Sequence, residues 1–193
     1  GRSDVGKFAM GQSVPRTEDP RLLTGRGRYI DDVSLMDQCH AFVLRSPRAH
    51  ARIRGIDCSV AQNSPGIIAI FTGVDWAASG LGHYVPPIQR ERRDGSPMYV
   101  PARPALVLDR VMLVGDPVAF ILAETADQAK DAAEVISVDY EQLPILVETD
   151  AAKHPDAPSL WEACPDNESF FFTTGNREAV TAAFTRAHHV TNL

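Results

Sequence analysis

The chain reads as an α+β fold. Short apolar runs alternate with a period of two, helical patterns with recognisable caps stand between them, and the joints are turn dipeptides rather than long loops. At 193 residues there is room for one domain and something more, because folded units usually run to roughly 100–200 residues. A composition of 44% hydrophobic and 23% charged residues argues against collagen-like, disordered and disulfide-scaffold classes.

Residues 1–37 lack a clean period and are rich in Gly, Pro, Asp and Arg, which predicts a loop-like arm packing on the domain. Residues 41–44 alternate, and Ser46-Pro47 punctuates. Residues 49–56 then set His50, Arg52 and Arg54 against Ala51, Ile53 and Gly55, as a half-buried strand requires. Asp57 is placed to cap a short helix over 59–63, which Pro65-Gly66 stops. Residues 67–72 are β-branched and apolar enough for a buried strand, with Gly73 ending it. Between 80 and 103 periodicity fails. Pro86-Pro87, the charge run Arg90-Glu91-Arg92-Arg93, Asp94-Gly95, Pro97 and Pro101 predict a long irregular excursion, a length typical of functional or disordered loops.

Residues 105–108, 111–114 and 118–123 are apolar runs separated by Asp109-Arg110 and Gly115-Asp116-Pro117, which predicts three short strands joined by tight turns. Thr125 and Gln128 form a capping-box pattern opening a helix over 126–134. Its Ala126, Ala129 and Ala133 make a thin face able to lie close on a sheet. Ile136, Val138 and Tyr140 alternate as the next strand. Residues 149–169, with Pro155, Pro158 and Pro165, read as a linker. Asn176 then caps a helix whose Val180, Ala183, Phe184 and Ala187 fall at i, i+3, i+4 and i+7. That face has no visible partner before Leu193, so its partner is expected elsewhere. The organisation expected is an arm (1–37), a main domain (38–148), a linker (149–169) and the start of a further domain (170–193).

The formal charge of −6 is uneven. Residues 1–54 carry ten Lys/Arg against six Asp/Glu, the rest nine against nineteen, and sixteen of the nineteen cations are Arg. An Arg-rich first quarter marks either a docking surface or Arg heads in solvent. The acidic remainder argues against a nucleic-acid partner. No apolar run approaches the ~20 residues of a membrane helix and no secretory pattern is visible, so the expectation is a soluble, cytoplasmic chain. Cys39, Cys58 and Cys164 contain no C-x-x-C, against a zinc ribbon or a ferredoxin-type cluster.

Other motifs favour structural roles. Gly25-Arg26-Gly27 has Ile30 where a dinucleotide fingerprint needs its third glycine. His188 and His189 would diverge by about 100° on a helix, so they read as a surface pair. His50 is either catalytic or a structural histidine, and the structural role is the expected one. Glu18-Asp19 and Asp31-Asp32 lack calcium-loop spacing and are expected in solvent or paired with Arg16, Arg21 and Arg28. Asp116 is expected to shape a turn.

Taken as a set, several segments resemble one family. The arm carries Gly11-Gln12-Ser13-Val14-Pro15-Arg16, then Glu18-Asp19-Pro20-Arg21-Leu22-Leu23-Thr24-Gly25, then Gly27-x-Tyr29-x-Asp31-Asp32. Arg45-Ser46-Pro47-x-Ala49-His50-Ala51-x-Ile53, Ile70-Phe71-Thr72-Gly73, Val114-Gly115-Asp116-Pro117-Val118-Ala119 and Val138-x-Tyr140-Glu141-x-Leu143-Pro144 follow in order. The pattern is similar to the N-terminal part of the large subunit in molybdenum-containing hydroxylases of the xanthine dehydrogenase, aldehyde oxidase and aerobic carbon monoxide dehydrogenase group.

The resemblance implies an α/β-hammerhead domain, a small mixed sheet with short helices, followed by the truncated start of a molybdopterin-binding domain. It implies an oxidoreductase that hydroxylates or oxidises a small molecule (an aldehyde, a purine or other N-heterocycle, or CO) with water as oxygen source. Molybdopterin would lie in the remainder of the large subunit, with 2Fe–2S and FAD on partner subunits or domains. The family's glutamate base and cofactor contacts would fall beyond Leu193, so no catalytic, cofactor-binding or metal residue is assigned and the piece itself is expected to be silent. Candidate interface residues are Arg16, Glu18, Asp19, Arg21, Arg26 and Arg28 on the arm, with Val180 and Phe184 on the last helix. The competing expectation is a stand-alone interaction or small-molecule-binding module of the same fold.

Overall fold

The computed structural model describes residues 15–192. Arg2, Lys7 and the Gly11, Gln12, Ser13 and Val14 of the arm motif lie outside them, as does Leu193. Packing divides the chain into two compact units between Gln38 and Cys39.

The first unit is not wholly loop-like. Glu18-Asp19-Pro20 starts a one-turn helix, α1 (Asp19–Leu23), with Pro in its first turn, where a missing N–H costs nothing. The Asp19 carboxylate accepts the Arg16 N–H at 3.0 Å and the Thr24 hydroxyl donates to the Pro20 carbonyl at 2.6 Å. A 3₁₀ turn (Ile30–Asp32) follows, its Asp32 carboxylate accepting the Tyr29 N–H at 2.9 Å.

The second unit contains β1 (His40–Arg45), β2 (Ala51–Asp57), α2 (Ser59–Gln62), β3 (Ile67–Thr72), α3 (Gly73–Ser79), β4 (Arg110–Val111), β5 (Pro117–Ala123), α4 (Ala126–Glu134), β6 (Ser137–Gln142) and α5 (Arg177–Arg186). Its strands form two three-stranded antiparallel sheets, β1-β5-β3 and β4-β2-β6. In the first sheet Ile121 of central β5 stands opposite both Phe42 and Ile70. Ala119, Ile121 and Ala123 alternate onto one face, where α4 lays Ala129, Ala132 and Ala133 against them with Ile136. Three small residues in one helix stripe bring backbone close to sheet, and the methyls fill what space is left. Val118, on the other side of β5, joins Ala51, Val107 and Val111 in a second core. Ile56 and Val138 pack against both cores.

Four details differ from expectation. A helix, α3, begins at Gly73 instead of the chain turning away there. Residues 105–108 are not a strand, although Leu106 and Val107 are buried: Pro104 and the need to pass beneath α3 leave them unpaired along a ladder. The run 111–114 pairs only over Arg110–Val111, because Asp116 folds the chain back at once. Ala132 rather than exposed Ala126 completes the α4 face. The predicted α4 cap holds, Thr125 Oγ1 accepting the Gln128 N–H at 3.2 Å.

Candidate functional site

Two of the family-like motifs meet in space. The Ser46 N–H donates to the Asp116 carbonyl at 2.8 Å, the Gly115 N–H returns a bond to the Ser46 carbonyl at 2.8 Å, and the Arg45 guanidinium caps the Gly115 carbonyl at 2.8 Å. Buried Ser46 turns the chain by accepting the Arg48 N–H on its hydroxyl at 2.9 Å. The Asp116 carboxylate collects the Met112 and Leu113 N–H groups at 2.6 and 3.2 Å, so it shapes the turn as its place before Pro117 suggested.

His50 immediately precedes β2, the central strand of the second sheet. It is 5% exposed, and its Nδ1 lies 2.7 Å from the Pro144 carbonyl, which makes Nδ1 the protonated nitrogen. Its own carbonyl accepts the Leu143 N–H and the Gln142 amide. Imidazole and backbone together fasten residues 142–144 to β2, a structural role. Nε2 is buried without a partner.

The largest construction that periodicity did not reveal joins the excursion at 80–103 to residues 149–172. The stretch read as a linker is bound along the excursion. Arg92 pairs with Asp166 and reaches the buried Cys164 sulfur at 3.7 Å. Arg93 holds Glu168 through Nε at 3.0 and 3.1 Å and lies over the Phe171 ring at 3.7 Å. Arg90 lies over Phe172 at 4.5 Å. Tyr99 and Ser169 exchange two bonds, backbone N–H to carbonyl at 3.0 Å and Ser169 hydroxyl to Tyr99 carbonyl at 2.6 Å. The Arg92 hydrogen bond holds the Asp166 carboxyl below its ordinary range, aided by the Glu168 N–H, while burial pushes the Cys164 thiol up. A thiol so placed is an inert packing group rather than a nucleophile.

The face of the first sheet away from α4 is open. Val43, Phe71, Trp76, Leu106 and Phe120 line a groove of about 700 Å³, with Arg45 and Asp75 as its charged lining. The Asp75 carboxyl is held below its usual range by the Thr72 N–H and hydroxyl, which it caps from inside α3. Five carbon-rich side chains on a half-open sheet offer few polar partners, whereas a phosphorylated pterin needs convergent donors. Among the described residues no group of three or more His, Cys, Asp and Glu is placed to hold a metal ion. No helix among them is long and apolar enough to cross a membrane.

The candidate interface residues fall into two sets. Arg16, Glu18, Arg21, Arg26 and Arg28 are exposed and Asp19 half-buried on the first unit. Of the arm acids, expected in solvent or paired with arginine, Glu18, Asp31 and Asp32 are exposed, and Asp19 and Asp32 cap backbone N–H groups, while Arg26 Nε donates to the Thr24 hydroxyl at 3.1 Å. Val180 and Phe184 belong to the second unit, 53% and 59% exposed on a helix with no buried residue. Sequence reasoning missed Tyr99, Trp161, Cys164 and Asp166; the charge run at 90–93 was their visible half.

The family model "Aldehyde oxidase and xanthine dehydrogenase, a/b hammerhead domain" matches residues 24–144. The carbon monoxide dehydrogenase large chain of Afipia carboxidovorans is 35% identical, the match covering 94% of this chain and 22% of that protein. A xanthine dehydrogenase molybdenum-binding subunit of Escherichia coli is 31% identical over 83% of this chain and 21% of that protein. The solved structure of quinoline 2-oxidoreductase from Pseudomonas putida aligns with a TM-score of 0.63 and 41% identity, covering 74% of this chain and 17% of that one. The chain spans about a fifth of the length of the curated relatives it matches.

Proposed function

The chain belongs to the aldehyde oxidase and xanthine dehydrogenase family of molybdenum-containing hydroxylases, and from that membership we propose that it serves as the hammerhead scaffold of a large, molybdopterin-binding subunit. The observation that carries the reading is the hammerhead match over 24–144 together with relatives named for molybdenum binding and for small-molecule oxidation. The whole protein would oxidise or hydroxylate a small molecule with water as oxygen source, passing electrons to 2Fe–2S and FAD partners in the cytoplasm. The present residues would be silent by themselves: residues 1–37 serve as a docking arm, 38–148 as the hammerhead, 149–169 as the connecting segment, and 170–193 as the approach to the cofactor-bearing region. The Arg-rich arm and the Val180–Phe184 face of α5 are the surfaces offered to those neighbours.

The test is to read the complete coding region, express its product with its neighbouring genes, and assay the purified complex for molybdenum, iron and flavin. The expected result is stoichiometric molybdenum in the complete complex and none in the 193-residue chain. A stop codon directly after residue 193, or molybdenum bound by the chain alone, overturns the reading.

A further inference from the structure

We propose that the chain carries a binding site for a small aromatic carboxylate, in the cavity between Tyr99, Trp161 and Arg110. This site does not depend on the role proposed above. The cavity measures about 530 Å³, within the range of roughly 300–1,000 Å³ typical of small-molecule sites. Three separate segments close around it: the end of the excursion, the turn bearing Trp161, and the chain from Val107 into β5. The bonds of Tyr99 to Ser169 hold the first two segments together.

Its chemistry is two-sided. Tyr99 and Trp161 contribute rings with centroids 6.3 Å apart and planes tilted by 58°, an L-shaped apolar wall that a third ring can complete by stacking on one and meeting the other edge-on. Arg103 and Arg110 also line the cavity. Neither guanidinium makes a hydrogen bond or ion pair among the described residues, although Arg110 is half-buried. The other half-buried arginine among the described residues, Arg92, is matched to Asp166, whereas arginines without a carboxylate partner elsewhere, such as Arg48 and Arg177, are exposed. A half-buried fork of N–H donors with no acceptor is incomplete, and a carboxylate is the group that fits it, often in bidentate fashion.

Arg110 and Tyr99 share this space: burial raises the Tyr99 phenol above its usual range and the Arg110 charge draws it back. Two carboxylates also line the cavity. Asp116 already accepts two backbone N–H groups, and Asp109 is exposed to solvent. Neither supplies the missing acceptor.

Benzoate and benzamide, equal in shape and different in charge, are the probes, titrated into the full 193-residue chain while both indole N–H resonances are followed by NMR. Trp76 is the internal control, since its indole donates to the Gly82 carbonyl at 2.8 Å in the separate apolar groove. Benzoate should shift the Trp161 resonance saturably, with a Kd of about 0.1–10 mM for so small a ligand, and leave Trp76 in place. Benzamide should bind about tenfold more weakly, the usual scale for losing a charge-assisted pair. Arg110→Gln should abolish benzoate's advantage while stacking persists. If that variant disturbs the Trp76 signal and hence the fold, Arg103→Gln is read in the same way. An unresponsive Trp161, equal affinity for the two probes, or a benzoate preference that survives in the folded variant overturns the proposal.

Discussion

Gly73 lies against the backbone of Val107 so closely that a methyl group on its α-carbon would stand 2.0 Å from the Val107 carbonyl oxygen and 2.5 Å from its carbonyl carbon. Val107 has nowhere to go, being buried in the second core with its N–H bonded to the Pro117 carbonyl at 2.9 Å. Gly73→Ala should therefore destabilise the domain by about 3 kcal/mol or more, at the upper end of what overpacking costs. Gly55→Ala is the matched control, because an added carbon there meets nothing within 4 Å. Equal urea midpoints for the two variants would contradict the contact.

The same glycine shows where the sequence was legible and where it was not. Gly73 after a β-branched run looked like a strand ending, yet Thr72 and Asp75 spell the start of a helix: both the N–H and the hydroxyl of Thr72 donate to the Asp75 carboxylate. The signal was local and could have been found, as it was for Thr125 and Gln128. The period of two over β2 and β6 was equally direct, since Ile53 and Tyr140 face each other in register. The clasp between 90–99 and 161–172 had no such signature. Its bonds join residues about 70 apart, and Arg–Phe, Arg–carboxylate and Tyr–Trp contacts obey no backbone period. The proline spacing in 149–169 signalled only that the chain is irregular, not that it is free. The cavity at Trp161 was invisible for the same reason.

The clasp should respond to acid. Asp166 is held below its ordinary range chiefly by Arg92, so it contributes stability that is full above the unfolded carboxyl pKa of about 3.9 and is lost as pH falls through the lower folded value. Hydrogen exchange at the Tyr99 and Phe171 amides, which bond to Ser169 and Glu91 across the clasp, should accelerate below that range relative to amides in α4. Asp166→Asn should give the faster exchange at neutral pH and remove most of the acid dependence. An unchanged profile in that variant would show that Arg92 does not set it.

Helix caps should separate the packed helix from the unpacked one. Thr125 and Asn176 make the same bond, to the N–H three residues on, at 3.2 and 2.9 Å. α4 buries three alanines in the first core and α5 buries none. Thr125→Ala should lower global stability by about 1 kcal/mol, visible in the denaturation midpoint. Asn176→Ala should reduce helical signal from α5 and leave that midpoint unchanged, because helical order that is not coupled to a core does not report on global unfolding. A common loss in both variants would mean that α5 is packed in solution.

Asp116 offers the sharpest test of the convergence between the Ser46 and Gly115 motifs. Its side chain holds the N–H groups of Met112 and Leu113, while its carbonyl receives the Ser46 N–H at 2.8 Å. Asp116→Ala removes only the first pair of bonds. Where the orphaned N–H groups stay shielded, each costs up to about 1–3 kcal/mol, and water reaching the half-exposed turn reduces that figure; a total loss of about 2 kcal/mol is expected. Asp116→Asn retains an acceptor oxygen and should recover more than half of it. The backbone bond to Ser46 would survive both substitutions, so protection of the Ser46 amide relative to the global rate should be unchanged. If Asp116→Asn is as damaging as Asp116→Ala, the negative charge itself holds the turn, and Arg45, whose guanidinium already sits on the neighbouring Gly115 carbonyl at 2.8 Å, becomes the partner to substitute next.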